Sequence, residues 1–121
     1  MAADTRRALG AAGEEAVARW YVAAGYDVVD RNWRCREGEL DLVLTRDRVL
    51  VFCEVKTRRT TAFGVPAEAV TITKQRRLRT LAMRWLDAHP RPRAGTLRFD
   101  VASVLAARGG PPVIDVIEGA F

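Results

Sequence analysis

The chain is an α/β protein in which a helix, three strands, a second helix and one or two final strands form a single domain. Three observations carry that expectation. Apolar residues recur at helical spacing over residues 5–24 and again over 73–88. Runs of β-branched and aliphatic residues of strand length lie between and after those segments, and Gly, Pro or Asp punctuates the junctions. At 121 residues, 1–121 is the length of one domain, enough to bury a core without disulfides or structural metal.

Taken in order, Leu9, Ala12, Ala16, Val17, Trp20 and Ala24 form the stripe of the first helix, with Arg6, Arg7, Glu15 and Arg19 mostly off it. Asp4 or Thr5 is expected to cap its start, and Gly25 to end it. GYDVVDRNWRC follows as a strand that begins at once and stops before Gly38. ELDLVLT and VLVFCEVKT flank Arg46-Asp47-Arg48 as a hairpin, although Asp-Arg is a weaker turn signal than Asn-Gly. Pro66 is placed to open a short helix, PAEAV, and Thr73 to cap a longer one reaching about Ala88 with Leu78, Leu81, Ala82, Trp85 and Leu86 buried. Pro90 and Pro92 stop that helix; TLRFDVASVLA reads as a strand and PPVIDVIEG as a last, edge strand.

Composition narrows the function classes. With 49% hydrophobic and 29% charged residues the chain is neither disordered nor fibrous. A net charge of +5 and a pI near 10.0 favour acidic partners, nucleic acid first among them. Only Cys35, Cys53 and His89 offer soft ligands, which is too few for a structural zinc site and points to a reduced, cytoplasmic setting. The first residues lack a continuous apolar core and the longest hydrophobic run is broken by Glu54 and Lys56, so neither secretion nor membrane insertion is expected.

That broken run holds the chemistry. Asp41, Glu54 and Lys56 sit inside two otherwise apolar strands, where an unpaired charge costs several kcal/mol. Residues two apart share a strand face, so Glu54 and Lys56 point the same way. A hairpin symmetric about Asp47 and Arg48 sets Asp41 opposite Glu54 and Glu39 opposite Lys56, with Cβ atoms about 4.5–5.5 Å apart. Two carboxylates at that distance repel unless one takes a proton or a cation lies between them. Oxygen ligands from one Asp and one Glu suit Mg²⁺ or Mn²⁺, and Lys56 beside them would orient a water or stabilise charge on a phosphoryl oxygen. The bland alternative, a surface ion-pair ladder, is weakened by Leu50 and Phe52 on the face of Glu54.

GELDLV and, 13 positions on from Asp41, EVKTR, preceded by GAAGEEAV and followed by FG.P, Lys74 and RFDV, resemble the YraN family of small bacterial proteins. That family is placed in the PD-(D/E)XK nuclease superfamily and is similar to archaeal Holliday junction resolvases; the likeness runs from about Leu9 to Val104. The resemblance implies a restriction-endonuclease-like mixed β-sheet flanked by α-helices, with order αβββαβ(β). It implies Asp41 and Glu54 as metal ligands and Lys56 as the catalytic lysine, with Glu14 as a further acid from the first helix, although helical geometry leaves Glu14 and Glu15 both open. Leu40 stands where the motif usually has Pro, which removes no chemical group.

Supporting roles follow. Thr57, Arg58 and Arg59 continue from the catalytic strand toward flanking phosphates, and Lys74, Arg76, Arg77, Arg79 and Arg84 make the second long helix basic. Glu39 is expected to orient Lys56, Asp100 to serve the structure, Trp20, Tyr21 and Trp85 to fill the core, and His89 to cap a helix end. The expected function is a metal-dependent endonuclease acting on nucleic acid, branched or structured DNA above all, and a homodimer is the state that the resemblance suggests. The alternative is a non-catalytic nucleic-acid-binding module on the same scaffold.

Overall fold

The computed structural model describes residues 2–59, 71–90, 95–106 and 109–121, with side chains from Thr5 onward. The expected PAEAV helix, the FG.P segment and Pro92 lie outside those residues.

Helix α1 spans Ala2–Ala23. It runs through Asp4 and Thr5, so neither is its cap; the alanines ahead of them are strong helix formers and carry the helix further back than the capping signal suggested. Its end is as expected. Gly25 takes φ +92°, its N–H bonds to the Val22 carbonyl at 3.0 Å, and the Tyr26 N–H reaches back to Tyr21 at 3.0 Å, a Schellman ending. The buried stripe is rotated from the expected one. Gly13, Val17, Ala18 and Tyr21 face the core while Ala12 is exposed, because the Tyr21 hydroxyl has a buried partner in Asp100 at 2.7 Å.

Strands β1 (Asp27–Cys35), β2 (Gly38–Arg46) and β3 (Val49–Arg58) form an antiparallel meander. Asp47 and Arg48 both take left-handed φ, 49° and 66°, giving the primed two-residue turn that suits strand twist. Arg48 is held there by its carbonyl, which accepts from Gly95 at 2.7 Å and Thr96 at 3.2 Å. Helix α2 spans Ile72–Ala88, capped by Thr71, whose side chain accepts the Lys74 N–H at 3.1 Å; the expected cap, Thr73, lies within the first turn. Strand β4 (Thr96–Leu105) runs parallel to β3, and β5 (Val113–Ile117) closes the sheet antiparallel to β4 as an edge strand. The order β1-β2-β3-β4-β5 with one parallel pair is the expected mixed sheet.

Each helix covers one side. Val17, Ala18 and Tyr21 of α1 pack on Leu42, Leu44, Val51, Cys53, Ala102 and Val104. Leu78, Leu81, Ala82 and Trp85 of α2 pack on Leu40, Val43, Leu50, Phe52 and Phe99. Each fully buried Leu or Phe contributes about 1.5–3 kcal/mol, so the two layers together are the main source of stability. Asp100 is the one charged side chain in the core among the described residues. It is fully satisfied by Tyr21, by two guanidinium nitrogens of Arg98 at 2.8 Å each, and by the Gly119 N–H at 3.0 Å. Its role is structural, as the sequence suggested. No helix among the described residues is long and apolar enough to cross a membrane.

Candidate acidic site where β2 leaves β3

The hairpin keeps the expected register from Arg46 opposite Val49 to Leu42 opposite Cys53, and there the ladder stops. The expected rungs, Asp41 with Glu54 and Glu39 with Lys56, do not form. The Val55 N–H, which a longer ladder would give to the β2 backbone, is taken instead by Asp41 Oδ2 at 2.8 Å. A carboxylate thus stands in for the missing backbone acceptor, in the gap where the strands part.

The strands part because the β1–β2 ribbon turns over. Leu40 and Leu42, two residues apart, should share a face, yet Leu40 packs under α2 and Leu42 under α1. Across the ribbon, Asn32 takes φ +50°, and the rung between Arg31–Leu42 and Trp33–Leu40 is missing. Asparagine tolerates this left-handed conformation better than most residues. Asp41 and Glu39 consequently turn toward α1.

There they meet Glu14. One oxygen from each of Glu14, Glu39 and Asp41 lies within 4.8 Å of the others. The Asn32 amide nitrogen, facing two carboxylates, donates to Glu14 Oε1 at 2.9 Å and to Glu39 Oε1 at 3.1 Å. Arg34 Nε adds an ion pair to Glu39 at 2.7 Å. Glu39 is therefore engaged with β1 rather than with Lys56.

Crowding acids in a half-buried notch shows in their proton affinities. Burial pushes the Asp41 carboxyl up to about 7, opposed by the Val55 N–H and reinforced by the charges of Glu14, Glu54 and Glu39. Glu14 is raised as well, first by burial and then by Glu39. A donor set made only of oxygen and carrying surplus negative charge fits a hard divalent cation such as Mg²⁺ or Mn²⁺.

The two helix acids lie in different surroundings. Glu15 points to solvent, where Arg31 at 2.6 Å and Arg19 at 3.2 Å hold its carboxyl below the usual range. Glu14 is the one that joins Asp41. Glu54 and Lys56 are arranged differently from expectation. β3 pairs with β4 without interruption, so both continue the side of Phe52 and α2, while Cys53, Val55 and Thr57 face α1. Glu54 nevertheless acts on Asp41 through its charge, because Asp41 lies in the opening between the two sides. Lys56 is exposed and has no hydrogen bond or ion pair among the described residues.

The other expected contacts divide. Thr57 is not turned outward: its hydroxyl lies under α1, where a Cβ on Gly13 would come within 1.9 Å of Oγ1. Arg58 is half-buried and Arg59 exposed at the end of β3; Lys74 is half-buried, and Arg76 and Arg77 are exposed on α2. Arg79 instead lies over the rings of Phe99 and Phe121, at 5.0 and 5.3 Å, and Arg84 pairs with Glu37 at 3.1 Å. Tyr21 and Trp85 are core aromatics, with Trp20 partly buried. His89 ends α2, stacked on Trp85 with ring centroids 4.1 Å apart. Sequence reasoning missed Asn32 and Arg34. The only signal for Asn32 was a poor strand former in mid-strand, which spacing alone cannot turn into a left-handed residue.

Comparison with known proteins places this architecture among relatives. Residues 13–104 match the model of the uncharacterised protein family UPF0102. A UPF0102 protein of Nocardia farcinica is 52% identical over 116 residues, covering 96% of this chain and 91% of that protein. One of Frankia alni is 51% identical over 121 residues and the full length of both chains. One of Streptomyces griseus is 48% identical, covering 96% of this chain and 98% of its own.

Proposed function

The chain belongs to the UPF0102 family, and on that footing we propose that it is a Mg²⁺- or Mn²⁺-dependent endonuclease hydrolysing phosphodiester bonds in nucleic acid. Branched or structured DNA is the proposed substrate, and DNA repair or recombination the setting. The observation that carries this reading is the convergence of Glu14, Glu39 and Asp41 within 4.8 Å, beside the EVK strand whose resemblance to the PD-(D/E)XK nucleases implies that chemistry.

Asp41 and Glu14 would hold the cation, with Glu39 on one flank and Glu54 on the other. When bound, a divalent ion supplies Lewis-acid polarisation of a phosphate oxygen and a more acidic water. Asp41, kept in place by the Val55 N–H, would hold the cation as a carboxylate, and its raised proton affinity would make that binding favour higher pH. Lys56, exposed two residues beyond Glu54 on the side of β3 that faces α2, would orient the attacking water or meet charge developing on the phosphoryl oxygens. Arg59, Arg76 and Arg77 bind the flanking backbone by charge, which positions the strand without reading its sequence. A homodimer would offer two such notches to a branched substrate.

The test is a cleavage panel of single-stranded, duplex, flap and four-way-junction DNA with Mg²⁺ or Mn²⁺, beside Asp41→Ala and Lys56→Ala. Metal-dependent cutting that both substitutions abolish, with folding intact, is the expected result. Full cleavage by Asp41→Ala ends the proposal; salt-sensitive DNA binding without Mn²⁺ binding assigns the chain to a non-catalytic binding module instead.

A further inference from the structure

Asn32 lies outside the motif residues, yet three independent features converge on it. Its backbone is left-handed at φ +50° inside a strand, its amide donates to two of the three clustered acids, and it sits where the β1–β2 ribbon exchanges faces. A non-glycine residue with positive φ costs about 1–2 kcal/mol, and such a cost persists where the surroundings over-determine it, often beside functional groups. The neighbouring rungs, Arg31 with Leu42 and Trp33 with Leu40, are intact, so the distortion at the level of Asn32 and Asp41 is separate from the bulge that shifts the register between Val28 and Asp30.

The consequences reach Asp41 through the backbone and Glu14 and Glu39 through the side chain. Were Asn32 extended, Leu40 and Leu42 would share a face, the β2–β3 ladder could continue past Leu42, and the Val55 N–H would find a backbone acceptor rather than Asp41 Oδ2. Without the amide, Glu14 and Glu39 would face one another with no donor between them.

We propose that Asn32 is the positioning residue of the acidic notch: its left-handed turn aims Asp41 into the gap, and its amide fixes Glu14 and Glu39 in reach of it. The cation-binding part rests on the reading above; the geometric part does not.

Two substitutions separate the two jobs. Asn32→Gly keeps the turn, since glycine adopts positive φ freely, and removes the amide. Asn32→Ala removes the amide and disfavours the turn. In ¹H–¹⁵N and carboxylate ¹³C NMR spectra of the metal-free protein, Asn32→Gly is expected to move the Glu14 and Glu39 carboxylate resonances while leaving the Val55 amide in place. Asn32→Ala is expected to move the Val55 amide as well. In calorimetric titration with Mn²⁺, Asn32→Gly should weaken binding about tenfold, the scale of one hydrogen bond to a charged group, at an unchanged melting temperature. Unmoved Glu14 and Glu39 resonances in Asn32→Gly, or an unmoved Val55 amide in Asn32→Ala, overturn the proposal, as does wild-type Mn²⁺ affinity in the glycine variant. A wild-type chain that binds no Mn²⁺, or binds it and cuts nothing, removes the nuclease reading and leaves the NMR outcomes to decide this one.

Discussion

Asp41 takes its proton at a pH where an ordinary carboxyl has long lost it, and that has a thermodynamic consequence. Its folded value of about 7 lies above its unfolded value, so the native state holds a proton that the unfolded chain releases. The contribution to stability is full below the unfolded value near pH 4 and is lost as pH rises through 7. Asp41→Asn keeps the shape and an oxygen for the Val55 N–H but abolishes the charge. Thermal melts in EDTA should therefore show this variant more stable than wild type at pH 8, by about 1–3 kcal/mol after allowance for partial exposure, with the difference fading toward pH 4. The same variant should lose measurable Mn²⁺ binding. A variant less stable than wild type at pH 8 contradicts the account of crowded, unneutralised acids. At this scale the sequence supplied Asp41 and left Glu14 and Glu15 level; Arg19 stands four residues after Glu15 on the same helix, but the Arg31 contact comes from a strand that no spacing rule connects to it.

Between elements, the approach of α1 to β3 is what brings Glu14 to the notch. Gly13, one residue before it, allows that approach: an added Cβ would lie 1.9 Å from Thr57 Oγ1 and 3.0 Å from Thr57 Cβ. Gly13→Ala is expected to destabilise the fold by roughly 1–3 kcal/mol, measured by urea titration. Thr57→Ala in the same chain should recover part of that loss, because it removes Oγ1 and Cγ2 while the Cβ at 3.0 Å stays. Additive effects in the double variant would show that the helix does not rest on this contact. The end of α1 offers a second check. Gly25→Ala, forced to φ +92°, should cost about 1–2 kcal/mol. Period and punctuation located both helices and all strands, whereas the rotation of the α1 stripe was hidden because Tyr21 reads as polar until Asp100 is seen beneath it.

Over the whole molecule, the surplus of positive charge is not spread evenly among jobs. Arg98 is spent on the buried Asp100, Arg84 on Glu37 and Arg79 on aromatic rings, whereas Arg76 and Arg77 are exposed on α2 and Lys56 is exposed on the side of β3 that faces α2. If those outward groups meet a nucleic-acid backbone, replacing Lys74, Arg76 and Arg77 together by Ala should lower the slope of log affinity against log salt by about 2–3 in fluorescence anisotropy, with little change in stability. An unchanged slope would assign these residues to solvation.

The sequence by itself determined the element order, the mixed sheet, the hairpin register as far as Leu42 and Cys53, and the structural place of Asp100. Those follow from local rules: helical and strand periods, and turns that fix pairing. Only the tertiary structure decided that the ladder ends one rung before Asp41, that Glu54 and Lys56 approach from the side of α2, and that Glu39 turns to Arg34 and Asn32. The physical reason is that a strand keeps its alternation only while its backbone stays extended. The bulge between Val28 and Asp30 and the left-handed Asn32 both interrupt that alternation in β1, and no pattern within a single segment records them.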